Sequence, residues 1–324
     1  MSLGPLIIDV EGFALTAEES ERLMHPWVGG VILFSRNFES VEQLKALTAA
    51  IHRLRPLLIS VDHEGGRIQR FREGFTALPS FQSLGEGLSS QPSAAALAQA
   101  MQNARQAGLT LARELRAVGV DYSYTPVLDL NHGQSAVIGD RSLHRDPALV
   151  TMLASAVMHG LRMAGFHNCG KHFPGHGWAQ ADSHLALPVD DRPLETILSD
   201  DASPYAWLGR GDAALSAVMP AHICYTAVDD QPAGFSRTWL TDILKGRLGF
   251  EGVVISDDLA MAGAAVYEDV ADRAQAAFEA GCDATLICNR PDLSIRALDE
   301  LPRRMPDFLT APARRSLARL LPDA

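Results

Sequence analysis

The sequence predicts one α/β domain, closed as a single TIM-like (β/α)8 barrel over residues 1–324. Three observations carry that prediction. Short β-branched apolar runs recur along the chain, with helical patterns between them. Most runs are continuously apolar rather than alternating, as in parallel strands buried on both faces. No Pro/Gly/Ser-rich linker or low-complexity segment divides the chain, so roughly eight βα units fall in one domain. An open doubly wound sheet is the structural alternative. No G-x-G-x-x-G follows the first strand, which weakens its dinucleotide-binding form.

The strand candidates are residues 6–9, 28–34, 57–62, 122–128, 217–219, 253–256 and 284–288, with a weaker one at 166–171. Between the first two, Thr16 and Glu19 match a capping box and start a helix. Val41, Leu44, Leu47 and Ile51 recur at helical spacing before the third strand. The Ala-rich stretch 94–117 reads as a long helix, and 148–163, 237–247 and 270–280 as further ones. In the last, Val270, Ala274, Ala277 and Phe278 mark one face, and Gly281 supplies the stop. The tail predicts a terminal helix at about 311–322.

Composition narrows the function. Lys plus Arg is 28 and Asp plus Glu is 39, a formal net charge of −11. That argues against a nucleic-acid binder, which tracks phosphates with a basic face. With 47% hydrophobic and 21% charged residues, a disordered or fibrous chain is excluded. The first residues lack a basic n-region, and Asp9 breaks their apolar run, so no signal peptide is expected. No stretch reaches the ~18 apolar residues of a membrane span. A cytoplasmic monomer without a membrane partner is the expectation. Cys169, Cys224, Cys282 and Cys288 form no C-x-x-C pair, and buried inert thiols are expected.

Chemistry in such a barrel sits at the C-terminal ends of the strands, and polar residues collect there. Asp9 and Glu11 follow the first strand, Arg36 and Asn37 the second, and Asp62, His63 and Glu64 the third. Asp129 and Asn131 follow the fourth, Lys171 and His172 the fifth, and His222 the sixth. Asp257 and Asp258 follow the seventh, and Asn289 the eighth. Any one could be a helix cap or a solvated loop residue. A whole ring of them points to one barrel mouth.

Four segments stand out. The first is K-H-F-P-G-H-G at 171–177, followed by A-D-S-H at 181–184. Pro174, Gly175 and Gly177 prevent a helix, so the H-x-x-x-H spacing of His172 and His176 does not make a helical zinc site. Asp182 can accept the imidazole N–H of His184, fix its tautomer and raise its basicity. The result is a His suited to general acid/base work on a Gly-rich loop, which is expected to move between open and closed forms. The second is V-V-I-S-D-D-L at 253–259, a buried strand ending in a carboxylate placed for a nucleophile or base. Two adjacent carboxylates repel, so a cation is expected beside them, with Lys171 the candidate. The third, D-H-E-G-G-R-I-Q-R at 62–70, offers Asp62, Arg67 and Arg70 around a Gly pair. These either read the hydroxyl and acyl groups of a sugar or form a structural ion pair. In the fourth, G-D-R-S at 139–142, Arg141 could clamp an anion or a carbonyl.

In their order and spacing these segments closely resemble glycoside hydrolase family 3, and within it the NagZ-type β-N-acetylglucosaminidases of Gram-negative bacteria. The resemblance runs from about residue 5 to about 290. It implies a TIM-like barrel and retaining hydrolysis of a terminal β-linked N-acetylglucosamine. It implies Asp257 as nucleophile, His184 as general acid/base and Asp182 as its partner. Asp62, Arg70, Arg141, Lys171 and His172 match the family's sugar-binding residues. The implied role is peptidoglycan recycling in the cytoplasm, with 1,6-anhydro-N-acetylmuramyl peptide fragments as substrates and no cofactor or metal. His63 departs from the family pattern, where Gln is expected. Three alternatives remain open: a phosphorylase on the same Asp/His site, a sugar-binding barrel without turnover, and a metal-dependent hydrolase.

Overall fold

Eight parallel strands pair in chain order around a ring in this computed structural model, which describes residues 3–179, 187–211, 214–310 and 316–322. They are β1 (Leu6–Asp9), β2 (Val28–Leu33), β3 (Leu58–Val61), β4 (Tyr122–Ser123), β5 (Cys169–Phe173), β6 (Ala217–Pro220), β7 (Val253–Asp258) and β8 (Ala284–Ile287). β1 pairs with both β2 and β8, and the order β4-β3-β2-β1-β8-β7-β6-β5 runs round the sheet. A parallel bridge between Val127 and Lys171 joins the two ends. The predicted TIM-like barrel is therefore the observed fold.

Closure explains why the stretch expected as one strand at 122–128 is split. Asp121 and Tyr124 donate to Ile59 and Val61 of β3. After Pro126, which has no N–H to give, the chain turns to β5: Leu128 donates to the Lys171 carbonyl at 2.7 Å. The weak fifth strand lies slightly later than expected, at Cys169–Phe173, which brings Lys171 and His172 into the sheet itself.

Helices cover the outside. Thr16 and Glu19 form the predicted capping box at Ala17–Leu23. Leu44, Leu47 and Ile51 are buried on Val41–Leu54. Val270, Ala274, Ala277 and Phe278 are buried on Val270–Ala280, which ends at Gly281 with φ 128°. The segment expected as an ordinary helix at 237–247 is wound as a π-helix over Thr238–Arg247. Ala94–Ala117 and Pro147–Met163 pack backbone to backbone, because a Cβ on Gly108 would lie 2.3 Å from the Val157 carbonyl oxygen and one on Gly160 2.1 Å from that of Arg105.

Two apolar layers result. One lies between strands and helices. The other fills the barrel, with Ile7, Ile32, Leu58, Tyr122, Met219, Ile255 and Leu286 meeting inside. Leu317 and Leu320 belong to this inner layer. Of the terminal helix expected at 311–322, residues 311–315 lie outside the described ones, and Leu317–Leu320 forms a short 3-10 turn. The tail thus packs on its own barrel, beside the strand starts, and leaves the opposite mouth for chemistry. All four cysteines are buried and free, as expected. Among the described residues no helix is long and apolar enough to cross a membrane.

Candidate active site

The mouth of the barrel holds a cavity of about 570 Å3. One wall comes from β3, β5 and the connections after β3 and β4. Asp62 follows β3, and a short hairpin, His63–Gly65 against Ile68–Gln69, sets Glu64 and Arg70 beside it. Lys171 reaches up from β5, fully buried, and donates to Asp62 Oδ1 at 2.8 Å and to Glu64 Oε1 at 2.7 Å. Arg141 grips the same Glu64 with two parallel bonds of 2.9 and 2.8 Å, the fork geometry that suits a carboxylate. Burial alone would raise the Glu64 pKa, but the Arg141 and Lys171 charges outweigh it and hold the carboxyl well below the usual range. Burial likewise opposes the Lys171 charge, and the Asp62 and Glu64 carboxylates overcome it, so its pKa is raised.

Arg70 stands at the edge of this network, its Nη2 3.9 Å from Asp62 Oδ2. Its buried Nε has no hydrogen-bond partner among the described residues. That donor is available to a ligand hydroxyl or carbonyl.

The floor is set by Asp129, just beyond β4. It accepts the His172 ring Nδ1 at 2.7 Å, the His172 backbone N–H at 3.1 Å and the His176 backbone N–H at 2.7 Å. This fixes the His172 ring and presents its other edge to the cavity, with both histidines lining it. Burial pushes His176 down to about 4, with the neighbouring His172 adding to the effect.

The opposite wall is the end of β7. Asp257 and Asp258 both line the cavity. Lys171, the candidate cation for this pair, bonds Asp62 and Glu64. Asp258 is satisfied by backbone instead: its Oδ1 accepts from Ala260 at 2.9 Å and Cys288 at 3.1 Å. Burial raises its pKa to about 6 against those bonds, and the Asp257 charge adds to the rise. Asp257 Oδ1 accepts the Asp258 N–H at 2.8 Å. Phe34, Met219, Met261 and Leu286 supply apolar surface around these charges.

Residues 6–305 match the glycosyl hydrolase family 3 N terminal domain. The chain belongs to glycoside hydrolase family 3. A curated "Beta-hexosaminidase" of Bordetella avium is 58% identical over 322 residues, which cover 98% of this chain and 88% of that protein. Among solved structures, native NagZ from Neisseria gonorrhoeae is 46% identical with a TM-score of 0.89, covering all of this chain and 91% of that one. The same protein in complex with N-trifluoroacetyl-D-glucosamine is 49% identical, with a TM-score of 0.86 over 92% and 85% of the two chains. Within the family, this enzyme groups with the β-hexosaminidases.

The family 3 barrel brings Asp62, Arg70, Arg141, Lys171, His172 and Asp257 together around one cavity. Asp182 and His184 lie outside the described residues. Arg141, read from sequence as a possible clamp for an anion, is engaged with Glu64 while its side chain still lines the cavity. Glu64 and Asp129 were not among the residues singled out for the site. Both belong to the ring of strand-end polar residues, but their partners lie 77 and 43 residues away in sequence, so no local motif announces the pairing. His63, the departure from the family pattern, sits off the cavity between Phe71 and Phe75, with ring centroids 5.8 and 6.0 Å away.

A second cluster lies at the rim. Arg36 pairs with Asp9 and donates to Asn289 Oδ1 at 2.7 Å, its guanidinium 4.5 Å from the centre of the Phe34 ring. Asn289 holds φ 61° and returns its backbone N–H to Asp9 at 2.8 Å. β1, β2 and β8 are thereby tied where the cavity opens.

Proposed function

We propose that this enzyme is a retaining, exo-acting β-N-acetylglucosaminidase. Its substrates on this reading are peptidoglycan fragments in which GlcNAc caps a 1,6-anhydro-N-acetylmuramyl peptide, and its place is cell-wall recycling in the cytoplasm, as a monomer. The observation that carries the reading is the facing of Asp257 across one small cavity by Asp62, Lys171 and Arg70, a carboxylate and cations suited to hydroxyls and an acyl group. At about 570 Å3 the cavity lies within the range of small-molecule sites, roughly 300–1,000 Å3.

Asp257 attacks the anomeric carbon while His184 protonates the departing oxygen, giving a glycosyl ester on Asp257. His184, now neutral, takes a proton from water, and that water cleaves the ester with net retention. A histidine suits both halves because its ordinary pKa is near 6.5. Asp182 holds its tautomer. Asp62 and His172 hold sugar hydroxyls, and the Lys171–Glu64–Arg141 network fixes Asp62 in place. The GlcNAc-like ligand in the Neisseria relative supports the same sugar for this cavity.

Proton NMR of the first sugar released from an aryl β-GlcNAc tests the reading. The β anomer should appear first and mutarotate later. Initial α anomer would rule out a retaining enzyme, and GlcNAc-1-phosphate formed in phosphate buffer would replace hydrolysis by phosphorolysis.

A further inference from the structure

β7 carries one residue more than β8 at the place where Asp257 stands. Ile255 pairs with Ala284 and Asp258 with Leu286, so three steps along β7 match two along β8. Such a bulge bends its strand and re-aims a side chain. The peptide between Asp257 and Asp258 follows directly. Its N–H donates to Asp257 Oδ1 at 2.8 Å, so the plane of this peptide sets the place of the carboxylate. Its carbonyl accepts the Ser256 hydroxyl at 2.7 Å. The Ser256 oxygen in turn accepts the Leu286 N–H of β8 at 3.2 Å. Ser256 thereby ties the peptide plane to the neighbouring strand across the bulge.

The next peptide, between Asp258 and Leu259, is held from β6. Its N–H donates to the Leu286 carbonyl at 2.9 Å, and its carbonyl accepts the Met261 N–H at 3.1 Å. The same carbonyl pairs with His222 Nε2 at 3.2 Å. A carbonyl can only accept, so the imidazole carries its proton on Nε2. Burial lowers the His222 pKa, which keeps the ring neutral. Its Nδ1 has no hydrogen-bond partner among the described residues, so the bond to Asp258 is what the ring offers the site. The ring lies on Phe235, with centroids 5.5 Å apart and planes 19° from parallel. Ser256 and His222 are both fully buried, where an unbonded polar group would be costly.

We propose that Ser256 and His222 are positioning residues for Asp257: a hydroxyl and an imidazole that fix the two peptide groups after the bulge and so aim the carboxylate at the anomeric carbon. The proposal rests on the reading of Asp257 as the nucleophile, since both residues act on the chemistry only through it. Neither is a catalytic residue.

The test uses the full chain with Ser256→Ala, Ser256→Thr, His222→Phe and His222→Gln. Threonine keeps the hydroxyl and glutamine keeps an N–H donor, while alanine and phenylalanine keep neither. For each, kcat on an aryl β-GlcNAc and the inhibition constant of GlcNAc are measured, with melting curves alongside. In Ser256→Ala and His222→Phe, kcat should fall about 10–100-fold, since a misplacement near 1 Å costs about 100-fold. GlcNAc should still bind within about threefold of the parent, because Asp62, Arg70 and His172 line other parts of the cavity and the loss falls on the transition state. Ser256→Thr and His222→Gln should recover most of the rate. A lower melting temperature with parental kcat would show a purely structural role and overturn the proposal. So would GlcNAc binding lost in step with kcat, or Ser256→Thr and His222→Gln as slow as the variants without a donor. If Ser256→Ala does not fold, the two His222 variants decide. Asp257→Asn in the same assay separates the two ideas. Its inactivity beside parental kcat in the Ser256 and His222 variants removes the positioning role alone. Its keeping much of the parental activity removes the nucleophile reading, and the proposal falls with it.

Discussion

Two corners of one cavity handle buried charge in opposite ways. At β3 and β5, Lys171 and Arg141 meet Asp62 and Glu64 in a closed set of ion pairs, and the two cations hold the Glu64 carboxyl well below its usual range. At the end of β7, Asp257 and Asp258 sit side by side, and Asp258 is held by backbone N–H groups while burial drives its pKa up to about 6. The difference teaches a division of labour. The paired corner is rigid and suited to gripping a neutral, hydroxyl-rich ligand. The β7 corner places two carboxylates where, in the proposed reaction, positive charge develops on an anomeric carbon.

The largest expected effect breaks the β7 corner. Asp257→Asn keeps shape but removes the proposed nucleophile, and kcat should fall at least about a thousandfold, the scale of losing a central catalytic group. Steady-state kinetics on an aryl β-GlcNAc checks it. A variant retaining a tenth of the activity would move the nucleophile elsewhere.

Next in size is a break in the paired corner. Lys171→Met leaves buried Glu64 and half-buried Asp62 short of a cation, and unfolding in urea should show a loss of about 3–5 kcal/mol, as for one partner removed from a buried ion pair. Binding of GlcNAc should weaken as well. A loss no larger than that of an exposed ion pair would show that the network is solvated.

Smaller effects appear only with pH. The fold raises the Asp258 pKa from 3.8 to about 6. Its protonated form is favoured, so its stabilising contribution is full below the ordinary value and is lost as pH rises through about 6. Asp258→Asn should therefore gain on the parent by about 2–3 kcal/mol between pH 4 and pH 8. His63 is the opposite case. Burial lowers its pKa from 6.5 to about 4, with Arg70 and Arg72 assisting. Stability is lost as pH falls through that window, because the unfolded chain takes up the proton first. His63→Gln should remove up to about 2–3 kcal/mol of that acid loss. Melting curves across the pH range read both, and parallel curves for variant and parent would contradict the assignment.

The same contrast explains what sequence could show. Strand ends are local features, so Asp62, Lys171, His172 and Asp257 stood out by position alone, and they do meet in one cavity. Arg70 and Arg141 stood out in their own motifs, and the resemblance matched both to sugar-binding residues before any geometry was known. Glu64 and Asp129 stayed unremarked because their importance is pairwise and long-range: Glu64 matters through Arg141 and Lys171, and Asp129 through His172. Lys171, the candidate cation for the Asp257–Asp258 pair, bonds Asp62 and Glu64, which are also far from it in sequence. Repulsion between neighbours was legible, but that backbone N–H groups from Ala260 and Cys288 would answer it was not. The split at Pro126 follows closure of the ring, which no single strand pattern contains.

The central claim is that Asp257, not its neighbour, forms the bond to the sugar. A 5-fluoro N-acetylglucosaminyl fluoride tests it most directly, because the fluorine slows both steps while the good leaving group lets the first proceed. Peptide mapping by mass spectrometry should find one sugar per chain, esterified to Asp257. A label on Asp258, or full inactivation with no covalent sugar, would contradict the account.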